Sequence, residues 1–129
     1  MTTLTIVDES TQGERRAWSL DFLGETMTLR ELIRRRIYQE VTEYNANVSG
    51  YFVGLVQPTE SERTQTGFRL KTAKKLDWQV HYEKAIEAFT RHGYIVLVND
   101  QQMVDLDIPI EVHPGTRVTF FQLVPLVGG

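Results

Sequence analysis

The run Tyr94-Ile95-Val96-Leu97-Val98 is the feature that most restricts how this chain can fold. Consecutive apolar residues, several of them β-branched, favour a central strand that is covered on both faces. Asn99 to Gln101 is a candidate for a tight turn, and Gln102-Met103-Val104 then predicts a short returning strand. Asp105 to Ile110 contains a proline, which favours a loop or an edge piece. Residues 94–98 are therefore expected to lie inside a sheet.

A last strand is predicted after the turn Pro114-Gly115. It runs from Arg117 to Val124, and Pro125 ends its pairing because proline has no N–H group to donate. Leu126 to Gly129 is then expected to project beyond the sheet, over at most about 13–18 Å when extended.

Side chains in the last strand alternate between its two faces. Phe121 and Leu123 share one face and Phe120 lies on the other, so at least one of these sets is expected in the core. Alternation alone does not say which.

The N-terminal third predicts a hairpin followed by a helix. Thr3–Val7 and Arg16–Phe22 each alternate polar and apolar residues, and the polar segment between them suits a turn. Thr28 then opens a helix, with Glu31 completing a capping box. The helix is expected to run to about Asn45, with an apolar stripe of Leu29, Leu32, Ile33, Ile37, Val41 and Tyr44.

Four arginines, Arg30, Arg34, Arg35 and Arg36, lie mostly outside this stripe. They are interpreted as a solvated helix face, since runs of charge usually are. The alternative is a patch that binds anions or an acidic partner.

The middle of the chain predicts a long-looped hairpin and a second helix. Tyr51–Val56 and Gly67–Leu70 have strand character, and Pro58–Thr66 is interpreted as an exposed loop. A helix is expected from Asp77, a good N-cap, to His92, with Gly93 at the C′ position. Its apolar stripe, predicted to be core, contains Trp78, Tyr82, Ala85, Ile86 and Phe89.

Composition excludes several kinds of site. The chain has no cysteine, and its three histidines, His81, His92 and His113, are scattered, so no metal site is predicted and each is expected at the surface. The formal net charge of −3 gives no overall basic field for nucleic acid or anionic membranes. No apolar stretch reaches the ~20 residues of a membrane span, and no signal peptide is visible, which favours a cytoplasmic location.

The order of predicted elements resembles the ubiquitin-like β-grasp fold: hairpin, capped helix, central strand, short strand, Pro-Gly turn, last strand and a Gly-Gly end. Residues 94–129 in particular resemble the prokaryotic sulfur carriers, which include the small subunit of molybdopterin synthase and the sulfur carrier of thiazole synthesis. The likeness extends to residues 3–45 and leaves out about 46–93. It implies an α+β domain spanning 1–129, a mixed sheet packed on a helix, with an inserted hairpin and second helix at about 46–93.

The resemblance also implies a function at the carboxyl terminus, with no catalytic residue and no bound cofactor in this chain. An E1-like adenylating enzyme would use ATP to activate the carboxylate of Gly129, and Gly128 would let the tail enter a narrow channel. Pro125, Leu126 and Val127 would guide the tail, and the exposed members of the last strand, with Phe121 and Leu123 as candidates, would contact the enzyme. The product would serve a sulfur-accepting synthase or conjugation targets. If the chain is conjugated to itself, its lysines Lys71, Lys74, Lys75 and Lys84 are the possible linkage sites.

Two other hypotheses stay open. The chain could be a non-covalent β-grasp adaptor in which the terminal glycines have no role, its sheet and inserted segment offering a partner surface. A free-standing enzyme is less favoured, because no nucleophile elbow or metal spacing is present. Asp105 and Asp107 would share a face if extended, but a polar loop is the better interpretation than a carboxylate pair.

Overall fold

The computed structural model describes residues 2–11, 13–64 and 66–123, apart from the side chains of Glu14 and Arg15. Over this part of the chain the protein is α+β. The strands are β1 Thr2–Ser10, β2 Gly13–Phe22, β3 Thr26–Thr28, β4 Tyr51–Phe52, β5 Ser61–Arg63, β6 Phe68–Leu70, β7 Tyr94–Val98, β8 Gln101–Met103, β9 Pro109–Glu111 and β10 Arg117–Gln122, and the helices are α1 Leu29–Ala46 and α2 Trp78–Thr90.

The chain divides into two compact units. The first consists of Met1–Glu31 and Ala88–Gly129, and the second of Leu32–Glu87. The expectation of one domain with an inserted segment at about 46–93 stays a prediction. The tail residues named above, Pro125, Leu126, Val127, Gly128 and Gly129, lie outside the described residues.

The first unit contains a mixed five-stranded sheet in the order β2-β1-β10-β7-β8 and a two-stranded antiparallel sheet of β3 and β9. β1 is antiparallel to β2 and parallel to β10, and β10 is antiparallel to β7. The predicted hairpin is confirmed, although both of its strands are longer than expected. β10, not β7, is therefore the middle strand.

Pairing register decides which side chains share the buried face. Ile6, Val118 and Val98 are in register across three strands, and all are buried. Phe120 is fully buried, with its ring centroid 6.0 Å from that of Tyr94. The prediction that β7 is covered on both faces was wrong: Ile95 and Leu97 on its other face are only half-buried.

Short turns set these registers. Asn99 and Asp100 have φ angles of 47° and 69° between β7 and β8, the positive values that a two-residue type I′ hairpin requires. Gly115 has a φ of 89°, and the Thr116 amide donates to the His113 carbonyl at 2.9 Å, which closes the predicted Pro-Gly turn.

Both helices are capped by side chains that were predicted. Thr28 Oγ1 accepts the Glu31 amide at 3.1 Å, and Asp77 Oδ1 accepts the Gln79 amide at 2.9 Å. These bonds satisfy amides that have no partner inside a helix.

The end of α2 differs from the prediction, because His92 rather than Gly93 occupies the left-handed C′ position. His92 has a φ of 61°. Its amide donates to the Phe89 carbonyl at 3.1 Å, and the Gly93 amide donates to the Ala88 carbonyl at 2.8 Å. This pair of bonds is a Schellman motif with Gly93 one position later, at C″.

In the second unit a three-stranded sheet, β4-β6-β5, replaces the predicted hairpin. β5 lies inside Pro58–Thr66, the segment interpreted as a loop. Just before β5, the Glu60 carbonyl accepts a bond from the Lys71 amide at 3.0 Å. Gly67 is buried beside β6, and a Cβ there would lie 2.8 Å from the Phe52 carbonyl oxygen. This close approach of two chain segments explains the glycine.

Arg36 corrects the interpretation of the arginine cluster as a solvated face. Its side chain is fully buried, and its Nε lies 2.7 Å from Oε1 of the buried Glu40. Glu40 Oε2 also accepts the Leu55 amide at 3.0 Å. A charged pair is therefore built into the interior of this unit, where removal of one partner is strongly destabilising.

Replacing Glu40 by Ala is expected to destabilise the protein by about 3–5 kcal/mol, since it removes the buried carboxylate that accepts bonds from Arg36 and from the Leu55 amide. Urea unfolding measures the change. On the exposed part of the same helix, Gln39 Nε2 donates to Glu43 Oε1 at 3.1 Å with the same spacing. Gln39→Ala is the matched control and is expected to change stability by less than about 0.5 kcal/mol. Similar losses of stability in Glu40→Ala and Gln39→Ala would show that the buried pair contributes no more than the exposed one.

Candidate functional site

The carboxyl end of β10 is where the structure brings the predicted contact residues together. Phe121 is half-buried and Leu123 is 43% exposed, whereas Phe120 is fully buried. The Leu123 amide donates to the Gly93 carbonyl at 3.2 Å. Alternation left open which set was core, and the structure assigns Phe120 to the core and Leu123 to the surface.

An apolar surface accompanies this end of the strand. Phe121 is in register with Ile95 on β7, and the neighbouring Leu97 is in register with Thr119. Ile95, Leu97 and Phe121 are all half-buried on the same face of the sheet. Ile95 and Leu97 were not predicted to be surface residues, because a continuous apolar run was interpreted as a strand covered on both faces. We call Ile95, Leu97, Phe121 and Leu123 the strand-end surface.

A small cleft lies near this surface. Its volume is about 30 Å³, and it is lined by Phe89, His92, Tyr94, Ile95, Gln102, Met103 and Val104. A cleft of that size holds a few water molecules at most, whereas ligand pockets measure ~300–1,000 Å³. This cleft is too small to enclose a cofactor, so the strand-end surface beside it is better suited to contact with a partner.

The lysines named as possible linkage sites all lie in the second unit. Lys71, Lys74 and Lys75 are exposed. Lys84 is half-buried, and its Nζ donates to Thr59 Oγ1 at 2.7 Å. The three exposed lysines are therefore more accessible to a reacting partner than Lys84.

Asp105 and Asp107 form a polar turn. The Asp107 amide donates to Asp105 Oδ1 at 2.9 Å, and Arg30 Nε and Nη2 donate to the Asp107 carboxylate at 3.0 and 3.3 Å. The hydrogen bond from Arg30 lowers the pKa of Asp107 below its usual value. A carboxylate held ionised by arginine is a poor proton donor, so these contacts favour the polar-loop interpretation over a carboxylate pair.

His81 corrects the expectation of three surface histidines. It is 4% exposed, and its ring meets that of Phe52 edge-on at 5.4 Å. Within residues 2–11, 13–64 and 66–123, its Nδ1 has no hydrogen-bond partner. Burial, followed by the charge of Lys84, lowers the pKa of His81 from 6.5 to about 4. The imidazole is therefore neutral near pH 7.

No group of three or more potential metal ligands is found among the described residues. In that same part of the chain, neither helix has the length and apolar character needed to cross a membrane.

Comparison of the chain with protein-family models, with curated proteins and with solved structures gave no match.

The buried His81 predicts a pH dependence of stability. Its pKa is about 4 in the folded protein and near 6.5 when unfolded, so the unfolded chain takes up the proton first as the pH falls. Its contribution is fully present above about pH 6.5 and decreases by at most about 3 kcal/mol down to pH 4.

Urea unfolding of wild type and His81→Gln from pH 4 to 7 measures this dependence. The variant is expected to show a flatter profile than the wild type. His113→Gln, which alters an exposed histidine, is the control and should retain the wild-type slope. Equal slopes for wild type and His81→Gln would show that this histidine titrates normally.

Proposed function

We propose that this chain is a ubiquitin-like β-grasp protein that acts as a sulfur carrier or protein modifier. In this proposal an E1-like adenylating enzyme activates the carboxylate of Gly129. The observation that supports it most is the strand order β2-β1-β10-β7-β8, with the first and last strands parallel at the middle of the sheet. The resemblance to ubiquitin-like proteins implies this arrangement, in which the last strand leads directly into the reactive tail.

The position of the strand-end surface agrees with such a role. Leu123, the last described residue, is exposed and lies next to the half-buried Phe121. A partner that receives the following residues would meet these side chains first. Apolar contacts of this kind supply binding energy while the tail enters the enzyme.

The chemistry requires nothing from this chain except its carboxylate. A carboxylate is a poor electrophile. Attack of its oxygen on the α-phosphate of ATP releases pyrophosphate and gives an acyl adenylate. A sulfur nucleophile, or an amine, then attacks the acyl carbon and AMP leaves. Glycine at 128 and 129 suits the approach to the nucleotide because it has no Cβ.

Intact mass spectrometry tests the proposal. The purified chain is incubated with ATP, a sulfur donor and an adenylating enzyme encoded beside its gene. We expect a product with AMP attached, or one in which sulfur replaces a carboxylate oxygen. The chain lacking Gly129 is the matched control and should form neither. The absence of any activated species with such partners would contradict the proposal, as would a natural chain that continues past Gly129 without processing.

A second test concerns the strand-end surface. Leu123→Ala is expected to lower the kcat/KM of adenylate formation by roughly tenfold, since a hot-spot side chain contributes more than ~1 kcal/mol to binding. Leu23 is 76% exposed and follows β2, so Leu23→Ala is the matched control and should leave kcat/KM unchanged. Equal effects of Leu123→Ala and Leu23→Ala on kcat/KM would show that Leu123 does not contact the adenylating enzyme.

The adaptor alternative is supported by the same surface, since the half-buried Ile95, Leu97 and Phe121 would also serve a partner that performs no chemistry. In the mass experiment a carrier forms an activated species, whereas an adaptor does not. An adaptor also binds its partner equally well with and without Gly129.

A further inference from the structure

The outer edge of β2 is a long strand edge with a sheet neighbour on one side only. In the part of the chain that the structure describes, β2 ends the five-stranded sheet and pairs with β1 alone. The strand at the opposite end, β8, has three residues, whereas β2 has ten. A long edge directs backbone N–H and C=O groups outward, where they can pair with another strand. This edge is therefore a candidate binding surface.

The first part of β2 is protected against such pairing, and the second part is not. The register with β1 shifts between Asp8 and Glu9, which indicates a β-bulge, and bulges bend an edge away from other chains. From Ala17 to Phe22 the register is regular, and the sequence has no proline and one charged residue, Asp21. The Asp21 carboxylate accepts a hydrogen bond from Thr3 Oγ1, which draws it towards β1 and away from the open edge.

The Thr5 amide shows which residues of β2 face the open edge. This amide donates to the Thr116 carbonyl, on the β10 side of β1. The N–H and C=O of one residue lie on the same side of a strand, and successive residues alternate. Thr5 is opposite Ser19, so this pair exchanges no hydrogen bonds, and Ser19 directs its N–H and C=O away from β1. The same is true of Ala17 and Asp21, two residues before and after it.

The spacing of these three residues matches a second copy of the same strand. In an antiparallel pair with its two-fold axis at Ser19, this residue is opposite its own copy. Ala17 of each copy is then opposite Asp21 of the other. All three positions become hydrogen-bonded pairs that exchange two bonds each, and the charged residue is opposite an alanine. Such an axis uses the same surface on both subunits, which gives a closed dimer.

The side chains agree with this register as well. Trp18, Leu20 and Phe22 alternate with the outward-facing residues and share the other face of β2. With the axis at Ser19, Trp18 of each copy is opposite Leu20 of the other. Trp18 is half-buried in the single chain, so part of its surface is left for this contact. Pairs of an aromatic and an aliphatic side chain across two strands stabilise a sheet.

We propose that the chain forms a symmetric dimer in which Ala17–Phe22 pairs antiparallel with the same segment of a second copy, so that the two five-stranded sheets become continuous. So short a segment buries less than the ~800 Å² per partner of a standard interface, and we expect a Kd on the order of 10–100 µM. β1 separates β2 from β10, so the dimer leaves the strand-end surface uncovered. The inference does not depend on activation of the carboxyl terminus.

Sedimentation velocity of the full-length protein from about 10 µM to about 1 mM covers this Kd. We expect the sedimentation coefficient to rise from that of a monomer to that of a dimer over this range. The amides of Ala17, Ser19 and Asp21 should also exchange with solvent more slowly at the higher concentration, because they then donate to the second copy. A chain that stays monomeric at the highest concentration overturns the proposal and leaves the edge to a strand of another protein.

Two substitutions of Ser19 separate its backbone from its side chain. Ser19→Pro removes an N–H that points to the open edge and no bond to β1, and it should raise the dimer Kd at least about tenfold. Ser19→Ala keeps this N–H and is the matched control, with a Kd expected within about twofold of wild type. Circular dichroism melts show whether each variant is folded.

Lysine at two positions tests the register without requiring the fold to accept proline. Ser19→Lys places two lysines opposite each other at the axis and should raise the Kd at least about tenfold, an effect that added salt reduces. Ala17→Lys places each lysine opposite Asp21 of the other copy and should lower the Kd instead. A dimer that Ser19→Lys leaves intact, or the same effect of lysine at both positions, overturns the proposal.

Discussion

The first unit depends on the parallel pairing of β1 with β10. Thr5–Ser10 lies in register with Arg117–Gln122, so strands from the two ends of the sequence form the middle of the sheet. The Thr5 amide also donates to the Thr116 carbonyl at 3.1 Å, just before the pairing begins. Every other strand of this sheet is added outward from that pair, β2 on one side and β7 with β8 on the other. Contacts this distant in sequence require nearly the whole chain before the sheet is complete. They also place the end of β10 between two strands, which gives Phe121 and Leu123 a fixed position.

The second unit depends on polar contacts that are buried and specific. Glu40 joins Arg36 to the backbone at Leu55, and Asn45 joins the end of α1 to Leu76. Gly54 is confined by the same arrangement, because a Cβ there would collide with the Glu40 carboxylate and the Phe52 ring. Short strands such as β4 and β5 contribute few ladder bonds, so these side-chain bonds add to the buried apolar residues that hold this unit together.

Local features of the fold could be predicted from the sequence, while features that depend on distant neighbours could not. Thr28 and Asp77 act through side-chain bonds to amides two or three residues later, and the Pro114-Gly115 turn acts through its own backbone, so all three are visible in a few residues. Arg36 and Glu40 have the spacing of any surface ion pair on a helix, so nothing in the sequence shows that they are buried. β5 has the composition of a loop and becomes a strand only because β6 lies beside it. At the candidate site, Phe121 and Leu123 remain predicted contact residues; alternation is the same for both faces of a strand and could not tell which of Phe120, Phe121 and Leu123 is core, whereas the structure buries Phe120 and exposes Leu123.

The parallel pairing of the first and last strands is the central claim, because it forms the middle of the sheet in the first unit and is the observation that most supports the proposed function. Nuclear Overhauser effects between backbone protons in solution test it most directly. The account predicts a parallel ladder of cross-peaks between Thr5–Ser10 and Arg117–Gln122, with slow amide exchange in both strands. An antiparallel pattern, or cross-peaks that place β10 beside another strand instead of β1, would contradict it.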